Sequence, residues 1–330
     1  MDSLTPALII VLMLILAAEF VNGWTDAPNA VAAAVSTRVL SPLQAVIVAA
    51  VFNLIGAFSG TAVATTIGKG IVDPSVIDLS VVAAAMLTIV IWSTVTAMYG
   101  IPTSESHELV AGLAGAGLAA AGPSVLLLDG WRKVIIGLGF STLLGFFMSM
   151  AVMTILYWLL RKAGTSSANN IFSKLQIVST AFMAFSHGSN DGQKFMGVFA
   201  MALVLGGVSK QFAVDTWIIA LLGIVMAIGT AVGGWRIIRT MGFKITKLEP
   251  VSGFAAQSSA SLAILLASHF GIPLSTTHTI GTSIMGVGAT RRFSAVRWGM
   301  AREIVTTWII TFPVCFILGF ILTKFLELVF

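Results

Sequence analysis

The chain has 330 residues, of which 57% are hydrophobic and 9% charged, with a formal net charge of +5 and a mean hydropathy of +1.00. Soluble domains carry about 25% charged residues, so this chain cannot coat a water-soluble globule, and its apolar content excludes disorder. Long unbroken apolar runs, in place of alternating segments of about ten residues, leave an all-α polytopic membrane protein as the fold class.

A helix needs about 20 apolar residues to cross the hydrocarbon core. The first run, 8–21, continues through 27–37. Thr5-Pro6 reads as its start, and without a basic n-region or a small-residue cleavage site it is expected to be retained. Further runs follow at 43–67, 76–99, 103–121 and 134–160, then at 171–187 continuing through 192–206, 213–235, 251–270, 275–289 and 304–328. Two of these are interrupted by polar residues at membrane depth. Two others, 103–121 and 275–289, are rich in small residues and open with hydroxyl clusters. Counting interrupted runs as two each gives about ten to twelve membrane segments. The single cysteine, Cys315, excludes a disulfide framework and a thiolate metal site.

One plan occurs twice. Gly100-Ile101-Pro102-Thr103-Ser104-Glu105-Ser106-His107 matches Gly271-Ile272-Pro273-Leu274-Ser275-Thr276-Thr277-His278 at an offset of 171 residues. Asn22-Gly23-Trp24-Thr25-Asp26 aligns with His187-Gly188-Ser189-Asn190-Asp191 at an offset of 165. Such self-similarity is expected of a secondary transporter built from two inverted-topology repeats with broken helices and re-entrant hairpins. The repeats are expected at 1–160 and 175–330, joined by a short cytoplasmic linker at 161–174. With five crossings per half, twelve basic residues fall on one side: Arg38, Arg161, Lys162, Lys174, Arg236, Arg239, Lys244, Lys247, Arg291, Arg292, Arg297 and Arg302. Lys69, Arg132, Lys133, Lys210 and Lys324 fall on the other. The bias places the first side in the cytoplasm and both termini outside a cell membrane, inner or plasma.

Charges inside a membrane mark functional sites by default. Asp26, followed by Ala27-Pro28, reads as the N-cap of a half-helix, with Asn22-Gly23 closing the one before it. Asp191 takes the same place after Gly188-Ser189-Asn190. An unwound stretch offering carboxylate and backbone oxygens suits a hard cation such as Na⁺, against the plainer reading that the carboxylates merely cap a broken helix. After Pro102 and Pro273, the hydroxyls of Thr103, Ser104, Ser106, Ser275, Thr276 and Thr277 sit at helix starts, where free N–H groups and the dipole favour an anion over simple capping. Lys194, beside Gln193, either binds that anion or pairs with Asp26 or Asp191. His107 and His278 donate to the anion, relay protons or pack. Glu19, Glu105 and Glu108 have no acidic counterpart in the second half and point to a cation site in one half only, with Glu105 foremost. No zinc spacing and no Walker loop occur, so no resident cofactor is expected, nor direct ATP drive.

Gly23-Trp24-Thr25-Asp26-Ala27-Pro28-Asn29-Ala30 and Gly188-Ser189-Asn190-Asp191-Gly192-Gln193-Lys194 resemble the paired signature of the PiT inorganic phosphate transporters. The Ile-Pro-x-Ser-x-x-His pair resembles that family's re-entrant hairpins. The resemblance spans nearly the whole chain. It implies a cation-coupled phosphate symporter rather than an enzyme, with inorganic phosphate and Na⁺ or H⁺ as partners, often as a homodimer in the bilayer, and no nucleic acid. It implies Asp26, Asn29, Asn190 and Asp191 as cation- and phosphate-site residues and the hairpin hydroxyls as phosphate donors. Gln193 and Lys194 join the expected phosphate set. Asn22, Gly188 and Glu105 join Asp26 and Asp191 on the cation side. The chain departs from the family pattern at Trp24-Thr25, at Lys194 where an Asn is usual, at Glu105 where a hydroxyl is usual, and in lacking a long central hydrophilic loop. Sulfate is the alternative cargo within the family, and an anion channel the rival outside it.

Overall fold

A computed structural model describes residues 5–329. The first half runs α1 (Pro6–Thr25), α2 (Ala27–Ser36), α3 (Pro42–Ala57), α4 (Ala62–Gly70), α5 (Leu79–Tyr99), α6 (Glu105–Ala121) and α7 (Leu128–Leu160). The second runs α8 (Thr165–His187), a π-helical turn at Gly188–Gly192, α9 (Gln193–Leu205), α10 (Thr216–Val232), α11 (Trp235–Arg239) with a π turn at Thr240–Lys244, α12 (Pro250–His269), α13 (Thr276–Arg291) and α14 (Trp298–Val329). Among the described residues the only β pairing is one isolated bridge, Val72 to Leu126. Element order therefore repeats: an interrupted helix, a bent pair, a straight helix, a short helix after Gly-Ile-Pro, a 3₁₀ turn and a long final helix.

Among the described residues, five helices are long and apolar enough to cross a membrane, and up to seven if each bent pair is one span. The bends change two expected spans. The run 43–67 breaks into α3 and α4 at 72°, and the run at 213–235 breaks after Val232, with the segment through Lys244 at 64°. Hydropathy windows sum composition and carry no direction, so neither bend was visible in them. The linker expected over 161–174 is mostly helix, since α8 starts at Thr165. Helices α6 and α13, with 17 and 16 residues, are shorter than a full crossing requires.

Thr5 does start α1, its hydroxyl accepting from Leu8 N. Gly100 and Gly271 close α5 and α12 in the left-handed region, with φ of 68° and 65°, which lets the chain turn into the following Ile-Pro. The halves then interlock: α6 packs on α14 and α13 on α7. These crossings are tight because small residues line them. A Cβ on Gly115 of α6 would lie 1.9 Å from the carbonyl oxygen of Phe316 on α14. The buried face of α7 is mostly small: Gly130, Gly137, Ser141, Gly145 and Ser149 recur at helical spacing.

Polarity runs opposite to that of a soluble protein. Ile135, Phe140, Phe147, Ile309, Ile317 and Phe325 are exposed on α7 and α14, whereas Glu19, Asp26, Glu105, Glu108, Asp191 and Lys194 are buried. An apolar coat over a polar centre suits a lipid surround. The ends of the bundle differ. Lys247, Arg291, Arg292 and Arg297 line one cavity of about 520 Å³ beside Leu160 and Thr165. Elsewhere, Lys69 lies over the Phe212 ring, and Gly70 packs on Gly130 near Arg132 and Lys133.

Candidate functional site

The two interrupted helices meet the two hairpin helices at the centre of the bundle. The interruptions are smaller than expected. Asp26 separates α1 from α2 by a single residue in right-handed helical geometry, and its carboxylate makes no cap bond. Around Asp191 the chain forms a π turn and stays helical. A π turn adds one residue to the ring and re-aims the side chains on either side, a device common at functional sites. The carboxylates thus project from nearly continuous helices rather than from unwound chain.

Asp26 faces the second hairpin. The Thr277 hydroxyl donates to its Oδ1, and Asn29 Nδ2 donates to the same oxygen at 2.7 Å and to Thr277 Oγ1 at 3.0 Å. Asp191 reaches the first hairpin only through Lys194. Lys194 Nζ lies 2.6 Å from Asp191 Oδ1, 2.5 Å from Ser106 Oγ and 3.0 Å from the Leu274 carbonyl. Ser106 also donates to Leu274 O at 2.8 Å. Thr276 Oγ1 joins the two sets, 3.1 Å from Asp26 Oδ2 and 3.0 Å from Asp191 Oδ2.

His187 completes the cluster. Its Nε2 is 4.0 Å from Asp26 Oδ2 and 3.6 Å from Asp191 Oδ2, and one ligand atom from each of the three residues lies within 4.8 Å of the others. Asn53 donates its Nδ2 to Thr230, which leaves Oδ1 to accept from His187 Nδ1 at 3.1 Å. In the neutral ring the proton therefore sits on Nδ1, and the Nε2 lone pair faces two carboxylates. Three lone-pair atoms converging out of water require a proton or a cation between them. Sequence reasoning left His187 out of the site, although its alignment with Asn22 in the repeat was the available signal. Asn53 carried no motif signal.

A second acidic group adjoins the first. Glu105 accepts from Thr25, one residue before Asp26. Glu108 accepts from Ser93 of α5. Glu19 accepts from Asn22 Nδ2 at 3.0 Å. Glu19 Oε1, Asn22 Oδ1, Asn29 Oδ1, Glu105 Oε2 and Glu108 Oε1 are buried with no hydrogen-bond partner. Five orphan acceptors with no matching orphan donors on these side chains point to bound cations or protons.

Other expected residues lie elsewhere. Asn190 turns to α12, donating to Ser268 at 2.9 Å. Gln193 holds the start of α4, accepting from Val63 N at 2.9 Å. Residues 190 and 193 share one helical face, whereas 191 and 194 share the inward face. Gly188 serves packing, since a Cβ there would lie 2.1 Å from Asn53 O; this approach brings Asn53 to His187. Ser104 and Ser275 are N-caps, accepting from His107 N and His278 N. Thr103 pairs with Thr96 at 3.1 Å. His107 and His278 meet each other with ring centroids 4.6 Å apart, and His278 stacks on Trp308 at 3.8 Å.

Residues 22–319 match the phosphate transporter family. A probable low-affinity inorganic phosphate transporter of Rhizobium meliloti (strain 1021) is 43% identical over 310 residues, covering 93% of each chain. One of Bacillus subtilis (strain 168) is 39% identical over 333 residues, covering both chains completely. The fold also resembles that of a solved structure, the sodium-dependent phosphate transporter, with a TM-score of 0.87 at 24% identity, over 99% of this chain and 100% of that one.

Proposed function

The chain belongs to the phosphate transporter family, and from that premise we propose that it imports inorganic phosphate as a secondary symporter coupled to Na⁺ or H⁺ by alternating access. The observation that carries this reading is the convergence of Asp26, Asp191 and His187 beside the Thr276 and Thr277 hydroxyls that open α13. Carboxylates beside an anion site make sense only if cations stand between the two. Phosphate carries one to two negative charges near neutral pH. Moving it into a negative interior costs about 2.3 kcal/mol per charge per 100 mV, so co-transported cations are needed for accumulation.

The hydrogen bonds suggest how coupling works. Thr276 and Thr277 spend their hydroxyl protons on Asp26 and Asp191. A cation beside Asp26 takes over that role and frees the hydroxyls. They then join the N–H groups at the start of α13 as phosphate donors. Cation binding thus prepares the anion site, with Na⁺ favoured by the oxygen-rich ligand set around Asp26. The repeated element order supports two inverted halves rocking about this centre. The cluster of Lys247, Arg291, Arg292 and Arg297 supports a cytoplasmic position for that end and external termini. A homodimer is proposed on the family resemblance, to be checked by the mass of the detergent-solubilised protein.

Uptake of labelled phosphate into proteoliposomes tests the reading, with a Na⁺ gradient, then a proton gradient, and excess sulfate as competitor. Accumulation driven by one gradient and lost in Asp191→Asn names the ion and supports symport. Block by low sulfate shifts the cargo to sulfate. Equilibration indifferent to both gradients favours a channel.

A further inference from the structure

Lys194 and Asn29 occupy the same place in the two halves. Each lies three residues after the motif carboxylate and donates to its Oδ1, Asn29 to Asp26 at 2.7 Å and Lys194 to Asp191 at 2.6 Å. Each also reaches across to the hairpin of the other half. Asn29 meets Thr277 at 3.0 Å and Lys194 meets Ser106 at 2.5 Å. Thr277 and Ser106 are themselves equivalent under the 171-residue offset of the hairpin motifs. At this one matched position the two halves differ in charge, with an amide in the first and an ammonium in the second.

The difference falls on charge. Beside Asp26, Asn29 Oδ1 is buried and has no partner, so that site presents an acceptor and a carboxylate without a positive charge of its own. Beside Asp191, the Lys194 ammonium donates to Asp191 Oδ1, Ser106 Oγ and Leu274 O. Three donors meet three oxygens, the whole hydrogen-bonding capacity of an ammonium. Lys194 is 1% exposed and leaves no N–H for an anion.

We propose that the Lys194 ammonium is a tethered cation that permanently fills one of two equivalent cation sites, so that the Asp26 site takes a mobile cation and the Asp191 site does not. The carrier then moves one cation fewer per phosphate than a version with an amide at both positions. The inference rests on the symport reading. It concerns how many cations travel rather than whether they do.

The test is the reversal potential of phosphate flux in proteoliposomes, which gives cations moved per phosphate for the full-length protein. Lys194→Asn empties the second site, and its cation-to-phosphate ratio is expected to rise by one, with a steeper dependence of uptake on cation concentration. Asn29→Lys makes the reverse change and is expected to lower the ratio by one. The exchange variant carrying both substitutions keeps one of each group and is expected to show the wild-type ratio. An unchanged ratio in Lys194→Asn overturns the proposal. So does a folded Lys194→Asn that carries no phosphate at any cation concentration. If Lys194→Asn does not fold, an unchanged ratio in Asn29→Lys overturns it equally. Wild-type flux that ignores every cation gradient removes the symport reading, and this proposal with it. Wild-type flux that follows a gradient while the variant ratios stay fixed removes this proposal alone.

Discussion

The hydroxyl of Thr277 donates to the carboxylate of Asp26 across 251 positions of sequence. The hairpin of the second half thereby completes the site of the first, and Lys194 on Ser106 does the converse. Neither half holds a whole site. Thr277→Val keeps the shape and removes the proton donor, so the half-saturating phosphate concentration is expected to rise about tenfold, the equivalent of ~1.4 kcal/mol. Initial uptake rates against phosphate concentration in proteoliposomes read it. An unchanged value would remove Thr277 from the anion site.

Asp191→Asn leaves Lys194 charged and buried without its counter-ion. Breaking a buried pair from one side costs about 3–5 kcal/mol, whereas replacing both partners by apolar groups is often neutral. The single variant is expected to melt well below the wild type in detergent. Asp191→Leu with Lys194→Met is expected to recover most of that stability and none of the transport. Recovery of uptake in the double variant would show that neither charge takes part.

Asn53 touches no cargo in this reading. It fixes the proton of His187 on Nδ1. Outer-shell partners of ligand histidines are worth about 10–100-fold in metal affinity. Asn53→Ala is expected to weaken cation dependence by a factor in that range while the maximal rate at saturating cation stays within a few-fold. Cation titration of phosphate uptake is the measurement. A fall in the maximal rate with unchanged cation affinity would point to packing against Gly188 instead.

The motif acids and lysine were legible in the sequence because an ion inside an apolar run is conspicuous and because Asp26 and Asp191 recur in register. What pairs with what was not legible. Lys194 was placed between an anion and a carboxylate by composition alone, and only the approach of the hairpins shows its three oxygens. Asn190 and Gln193 share the motif with Asp191, yet a helix turns them to another face. His187 looked like one histidine among four until Asn53 was folded against it. The bend after Ala57 falls at Phe58-Ser59-Gly60-Thr61, a short hydroxyl and glycine stretch that carries a turn signal but is averaged away within a long apolar run.

Gly115→Ala tests the crossing of α6 on α14. The added methyl meets the Phe316 carbonyl, and overpacking of this kind costs about 1–3 kcal/mol. The melting temperature and phosphate uptake are expected to fall together. Gly139→Ala is the control, because nothing lies within 4 Å of its Cβ position. Its stability is expected to stay level or rise by up to ~1 kcal/mol through better helix propensity.

That same crossing imposes a schedule on biosynthesis. Helix α6 ends at Ala121 and its packing partner α14 begins at Trp298, so the ribosome has 176 intervening residues still to add. At about 5–20 residues per second, the hairpin that carries Ser106 and Glu105 waits on the order of ten to thirty-five seconds for the helix that seats it. Throughout that interval its acids and glycines must be sheltered by the insertion machinery or by α5. A nascent chain stalled before Trp298 is therefore an obligate client of membrane quality control rather than half of a working carrier.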